Sequence, residues 1–222
     1  MTKKKLKERT ERVAKMNKIL EKLYKSPRVE LNYNTDWELV IAVQLSAQCT
    51  DKRVNKVTEK LFKKYKTIHD YASATQAAME KDVFQCGFYR NKAKNIIASS
   101  KMMEEDFGGK VPKSMEEILM LPGVARKTAN VVLSNLYQIH EGIAVDTHVR
   151  RFAIRFDLSD YKDPIKIERD LMEIMPKKYW WGFNHRLVLY GRDYCPARKH
   201  ECDEHPLTKV YPKSTKIWPK AK

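Results

Sequence analysis

The sequence predicts an all-α protein. Three observations carry this. Apolar residues recur at helical spacing along nearly the whole chain, no stretch alternates with the period of two that a half-buried strand needs, and Pro27, Gly108-Gly109 and Pro122-Gly123 punctuate the helical segments. The 222 residues, 42% hydrophobic and 10% aromatic, are enough for one substantial core or two small ones, and they exclude wholesale disorder.

The elements follow in order. Val13, Met16, Leu20, Leu23 and Tyr24 share one face of a very basic first helix, which Ser26-Pro27 closes. Trp37 to Ala47 is almost entirely apolar and follows the capping candidates Asn34, Thr35 and Asp36, so it is expected to be a helix buried on most sides. Asp51 is the expected cap of a helix whose stripe is Val54, Val57, Leu61, Phe62 and Tyr65. Ile96, Ile97, Ser100, Met103 and Phe107 mark another helix, ending at Gly108-Gly109. Ser114 and Glu117 form a capping-box pair ahead of Ile118, Leu119 and Met120. Pro122 then breaks the ladder, Gly123 permits a positive φ, and Arg126 to Tyr137 resumes the helix. Such a helix-hairpin-helix leaves backbone N–H groups at the start of its second helix that can seat a phosphate. On spacing alone an ordinary αα-hairpin is the favoured reading. Asp146, before Val149, Phe152, Ala153 and Phe156, is the expected N-cap of a further helix.

Lys and Arg number 44 against 28 acidic residues, a net charge of +16 that favours a polyanionic partner, nucleic acid before an anionic membrane surface. Residues 1–28 carry net +8 and residues 206–222 carry +5, which leaves +3 for the middle. The ends are therefore expected to adhere to something anionic or to serve solubility. No apolar run approaches the roughly 18 residues of a membrane span and no signal-peptide stretch follows the Lys-rich start, so a soluble, non-secreted protein is expected. Cys49, Cys86, Cys195 and Cys202 are too few and too scattered for a disulfide scaffold.

Leu121-Pro122-Gly123-Val124-Ala125-Arg126-Lys127-Thr128-Ala129-Asn130-Val131-Val132, followed by Val145-Asp146-Thr147-His148, resembles the endonuclease III family of DNA glycosylases. The resemblance extends, in the family's order, to Leu45–Asp51, Gly87–Ala93 and His185–Gly191, and covers roughly residues 10 to 202. It implies Lys127 as nucleophile and Asp146 as the essential carboxylate. The residue types suit those roles. A lysine at the opening of a helix, beside a phosphate-seating hairpin, has a positive helix end and partial desolvation to disfavour its ammonium form, leaving an amine to attack a sugar C1′. An Asp at a helix N-cap is held still, whether it only caps or also stabilises the charge that develops as a base leaves.

A duplex base is reached only after extrusion, so the vacated space must be filled. The resemblance implies Gln48 for the gap opposite the orphan base and Phe88 or Tyr89 as a wedge between stacked bases. The expected DNA-contacting set is completed by Leu121, Gly123, Ala125, Arg126 and Thr128 of the hairpin and by His148, which is also a candidate structural hydrogen-bonding residue beside Asp146.

The clearest departure is C-terminal, where the family pattern Cys-x6-Cys-x2-Cys-x5-Cys binds a [4Fe–4S] cluster. Here Cys195 and Cys202 keep the first spacing, but His205 and Tyr211 stand third and fourth, so no four-iron cluster is expected. Cys195, Cys202, His200 and His205 offer a zinc set; the alternative, favoured at this level, is a metal-free loop held by Tyr194, Pro196 and neighbouring aromatics. Accordingly no cofactor and no metal ligand are assigned, and burial of Trp180, Trp181, Phe183 and Leu187 under the first helix is expected to hold this domain. Ala125, where the family commonly has Gly, puts the hairpin's backbone there in question.

The expected architecture is a continuous domain, 29–139, carrying the hairpin, and a second made of 1–28 plus 140–222, with a catalytic cleft between them. The expected function is a base-excision repair glycosylase with AP-lyase activity that removes oxidised pyrimidines from duplex DNA through a Lys127 Schiff base. The expected partner is duplex DNA containing a damaged base or abasic site, with no membrane. The protein is expected to be a monomer in the cytoplasm beside the nucleoid, with a nuclear setting left open. A monofunctional mismatch glycosylase and a non-catalytic DNA-binding module are the rival readings.

Overall fold

The first helix shows how the sequence builds its structure. In the computed structural model, which describes residues 1–219, α1 (Lys3–Leu23) turns Val13, Met16 and Leu20 into a core and leaves most of its lysines in water. The chain divides into two units, Val29–Ile139 and Met1–Arg28 with the segment from His140 onward. No strand occurs among the described residues, and no described helix is long and apolar enough to cross a membrane.

The Val29–Ile139 unit is organised around α2 (Asp36–Ser46). Thr35 and Glu38 form its capping box, and Leu39 to Leu45 are buried on every side, as the apolar run predicts. Against it pack α3 (Asp51–Lys64), α6 (Tyr89–Glu105) and α8 (Arg126–Tyr137), while the short α4 (Ile68–Ala72) and α5 (Gln76–Val83) lie on α6. Thr50, not Asp51, caps α3: its hydroxyl accepts from the Arg53 amide, and Asp51 becomes the first helical residue, where its charge suits the helix dipole. Gly108 and Gly109 both take positive φ just beyond α6. Ser114 caps the four-residue α7 (Met115–Ile118).

In the other unit, α1 packs on α10 (Pro164–Ile174) and α11 (Trp180–Asp193), and α9 (Thr147–Arg155) packs on both of these. Phe183 and Leu187 are fully buried, but Trp180 and Trp181 are only half-buried, so the core rests instead on Phe152, Phe156, Leu171 and Tyr190. The basic ends are partly structural. Arg9 is 1% exposed, with Nη2 2.8 Å from both Asp157 and Asp160; Lys5 also pairs with Asp160, and Arg12 donates to the carbonyls of Phe156 and Asp157 at the end of α9. These cations complement the negative end of α9 and are not free to meet a polyanion. Leu207 and Ser214 are likewise buried in the C-terminal segment; Lys220 and Lys222, two of its five lysines, lie outside the described residues.

Candidate active site

The hairpin is held in shape by side chains far from it in sequence. Gly123 has φ +80°, and a Cβ there would stand 2.5 Å from Asn95 Nδ2 and 2.8 Å from Asn95 Cβ, so only glycine fits the turn. The buried Gln44 amide donates to the Pro122 carbonyl (2.8 Å) and to Ser99 Oγ (3.1 Å), tying the hairpin to α2 and α6. Ala125 sits at φ −92°, ψ 167°, extended backbone that alanine adopts without strain, which settles the question its identity raised. It offers no side-chain acceptor to the first turn of α8.

Gly123, Ala125 and Lys127 are exposed, and Arg126 and Thr128 are half-buried. Leu121 is 1% exposed: its side chain is a core anchor beneath the turn, because the 3₁₀-like bonds from Leu121 to Ile118 and from Val124 to Leu121 fold it inward. Only its backbone is available at the surface of the turn. Lys127, the second residue of α8, is exposed, so the folded chain does not supply the burial expected for it.

Two further loops of this unit carry residues in left-handed backbone. Gln48, two residues beyond α2, has φ 54° and is exposed; Phe88, the residue before α6, has φ 46° and is 65% exposed. For non-glycine residues this conformation is uncommon and mildly strained, and it projects both side chains outward. Tyr89 is half-buried against Phe84, centroids 4.9 Å apart, with the Arg90 guanidinium 4.8 Å over its ring. Of the two expected wedge aromatics, Phe88 projects and Tyr89 is packed.

Lys92 sets the spacing between these loops. Its buried ammonium donates to the carbonyls of Leu45 (2.9 Å) and Cys86 (2.7 Å), stitching the end of α2 to the turn before Phe88. Burial pulls its pKa below the usual lysine value. The sequence reading missed this residue. The signal was present, since Lys92, Ile96, Ser99 and Met103 share one buried helical face.

In the other unit Asp146 caps α9, its Oδ1 accepting from the Val149 amide at 2.8 Å. The preceding loop is held by Asn184, whose amide donates to the Ala144 carbonyl at 2.6 Å. His148, half-buried on the first turn of α9, accepts at Nδ1 from Arg151 Nη2 (3.3 Å), which leaves its ring proton on Nε2. A Cβ at Gly191 would stand 2.2 Å from His148 Nδ1, so α11 approaches α9 this closely only because that residue is glycine.

His185, on α11 beside Trp181 (4.9 Å), was quoted in a motif but given no role. Burial pushes its pKa down to about 4, against the opposing pull of the Asp146 charge, so it is a neutral imidazole at pH 7. The unfolded imidazole takes up a proton below about 6.5, but the folded one does not until about 4. The unfolded state therefore binds more protons in that window, and stability is full above it and lost as pH falls through it. Replacing His185 by Gln should remove about 3 kcal/mol of the stability loss between pH 7 and pH 4. Urea midpoints of the two proteins across that range check this, and parallel pH profiles would refute it.

The C-terminal loop does not fit a four-iron cluster. Arg155, 1% exposed, donates from Nη1 to Cys195 Sγ (2.8 Å) and from Nη2 to Cys202 Sγ (3.2 Å) and to the Ser214 carbonyl (3.0 Å), with Trp218 stacked 4.0 Å from its guanidinium carbon. One protein cation thus engages both sulfurs. Tyr211, at the fourth ligand spacing, lies under the Arg12 guanidinium at 4.2 Å, and two thiolates are half of what the cluster takes.

The chain is similar to endonuclease III from Synechocystis sp., 45% identical over 208 residues that cover 94% of this chain and 95% of that protein. It is also similar to endonuclease III from Bacillus subtilis, 48% identical over 179 residues, 80% and 81% of the two chains. Among solved structures, a trapped endonuclease III–DNA covalent intermediate superposes with a TM-score of 0.87 at 39% identity, over 93% of this chain and 97% of that one. A thermostable thymine-DNA glycosylase superposes at 0.75 with 22% identity over 95% and 98%, a likeness of fold. Residues 41–177 match the HhH-GPD superfamily of base excision DNA repair proteins, and the chain belongs to that family.

Proposed function

We propose that this protein is a base excision repair DNA glycosylase with AP-lyase activity that acts on oxidised pyrimidines in duplex DNA. The observation that carries the reading is an exposed lysine in the first turn of the helix that leaves the Pro122-Gly123 hairpin. A glycosylase that only activates water has no need of an amine there. The endonuclease III relatives, whose matches span 94% and 80% of the chain, support it.

In this reading the backbone at Gly123 and Ala125, with Arg126 and Thr128, grips a phosphate and sets the register on the duplex. Extruding the damaged nucleotide costs a few kcal/mol, which Gln48 offsets by filling the gap and Phe88 by stacking on an adjacent base. Lys127 and Asp146 act on the extruded nucleotide. The Lys127 amine bonds to C1′ while the C1′–base bond breaks; the electron pair leaves with the base, which takes up a proton. Asp146 stabilises the positive charge at C1′ and accepts the proton that the attacking nitrogen sheds. Opening of the sugar ring gives a Schiff base. Loss of a C2′ proton then drives the electron pair out through the C3′–O bond, releasing the 3′ phosphate, and water hydrolyses the imine to restore Lys127. The protein works as a monomer in the cytoplasm, on chromosomal DNA.

Borohydride reduction during turnover on DNA containing an abasic site tests the proposal. A covalent protein–DNA adduct, stable to denaturation, is expected. Its absence, with base release retained, would leave a monofunctional glycosylase; its absence with neither activity would leave a DNA-binding module.

A further inference from the structure

The loop that cannot hold an iron–sulfur cluster nevertheless gathers a second set of metal-ligating atoms. Cys195, His200 and His205 bring one ligand atom each to within 4.8 Å of one another. Two of these residues carry a buried ring nitrogen with no hydrogen-bond partner, His200 Nε2 and His205 Nδ1. A buried polar atom without a partner is uncommon and destabilising, so two converging beside a thiol call for an explanation.

The tautomer of His200 points the same way. Its Nδ1 lies 2.7 Å from the Arg198 carbonyl, which can only accept, so Nδ1 carries the proton and Nε2 presents a lone pair. Metal-ligating imidazoles are commonly oriented in this manner, the second nitrogen donating to a backbone carbonyl. The ring is further braced by the edge of Trp218 at 5.0 Å and by His205, stacked at 5.2 Å. Arg155 Nη1 donates to Cys195 Sγ and leaves sulfur lone pairs for a metal ion; burial raises the thiol's pKa, so a bound metal displaces its proton.

We propose that Cys195, His200 and His205 form a zinc site that closes the loop from Cys195 to His205, with a water molecule as fourth ligand. One thiolate and two imidazoles are a borderline-soft set suited to Zn²⁺. Tetrahedral coordination sets neighbouring ligand atoms about 3.3–3.6 Å apart, so binding draws the three together by at most about 1.5 Å at their widest. Cys202 stays outside the set, held by Arg155 through Nη2. The sequence alone favours a metal-free loop; the two orphaned nitrogens and the fixed His200 tautomer reverse that preference.

The test uses the full-length protein, purified without chelator, dialysed against metal-free buffer and analysed for zinc and iron. One equivalent of zinc and negligible iron are expected, with chelation lowering the thermal midpoint. Cys195→Ser and His205→Gln, each with wild-type helicity by circular dichroism, should weaken zinc binding by about 10- to 100-fold or more, while Cys202→Ser retains it. Cobalt substituted into the wild type should show a sulfur-to-cobalt charge-transfer band, which gives a readout even if Cys195→Ser fails to fold. Wild-type protein that takes up no zinc from micromolar solution, zinc retained in full by both ligand variants, or cobalt binding without a sulfur band would each overturn the proposal.

Discussion

Lys127→Gln is expected to cut borohydride trapping and strand cleavage at abasic sites by about 10³-fold or more, because an amide nitrogen cannot form a Schiff base. Affinity for abasic DNA should stay within about threefold, since one charge is removed from a protein of net +16. Stability should change by less than about 0.5 kcal/mol, because the side chain is exposed and the helix accepts Gln as readily as Lys. Trapping yield against time, on a preformed abasic site, isolates the amine's contribution from base release. If the variant traps as well as the wild type, another amine is the nucleophile and the assignment of Lys127 fails.

Asp146→Asn should slow release of the damaged base by about 10²–10⁴-fold. The variant separates the residue's two roles. Asn caps a helix as well as Asp, so the bond from the Val149 amide persists, and only the charge at the start of α9 is lost, worth about 0.3–1 kcal/mol. Asp146→Ala loses the cap as well and should cost about 1 kcal/mol in stability, with no better activity than Asn. Single-turnover base release and urea midpoints, measured on both variants, distinguish a chemical carboxylate from a merely capping one. Wild-type base release by Asp146→Asn would show that the carboxylate only caps.

How much of this was legible in the chain follows from the range over which each feature is decided. The helical class, the boundaries of α8 and the cap at Asp146 could be read directly, because they depend on neighbours in sequence: a proline that fixes φ, a glycine that allows φ +80°, a carboxylate three residues from the amide it accepts. The cap of α3 was misplaced by one residue, because Thr50 and Asp51 are both good caps and only the entering backbone decides between them. Net charge was legible as a total and not as a surface, since Lys5, Arg9 and Arg12 are used within their own unit, on Asp157, Asp160 and the end of α9. Periodicity marked which face of a helix is buried but not which polar groups meet there. That Gln44 would hold Pro122, that Lys92 would join the carbonyls of Leu45 and Cys86, and that Arg155 would reach the sulfurs of Cys195 and Cys202 was decided only by packing. In each case the partners are brought together by helices distant in sequence, and a buried polar group takes whichever acceptor the finished core presents to it.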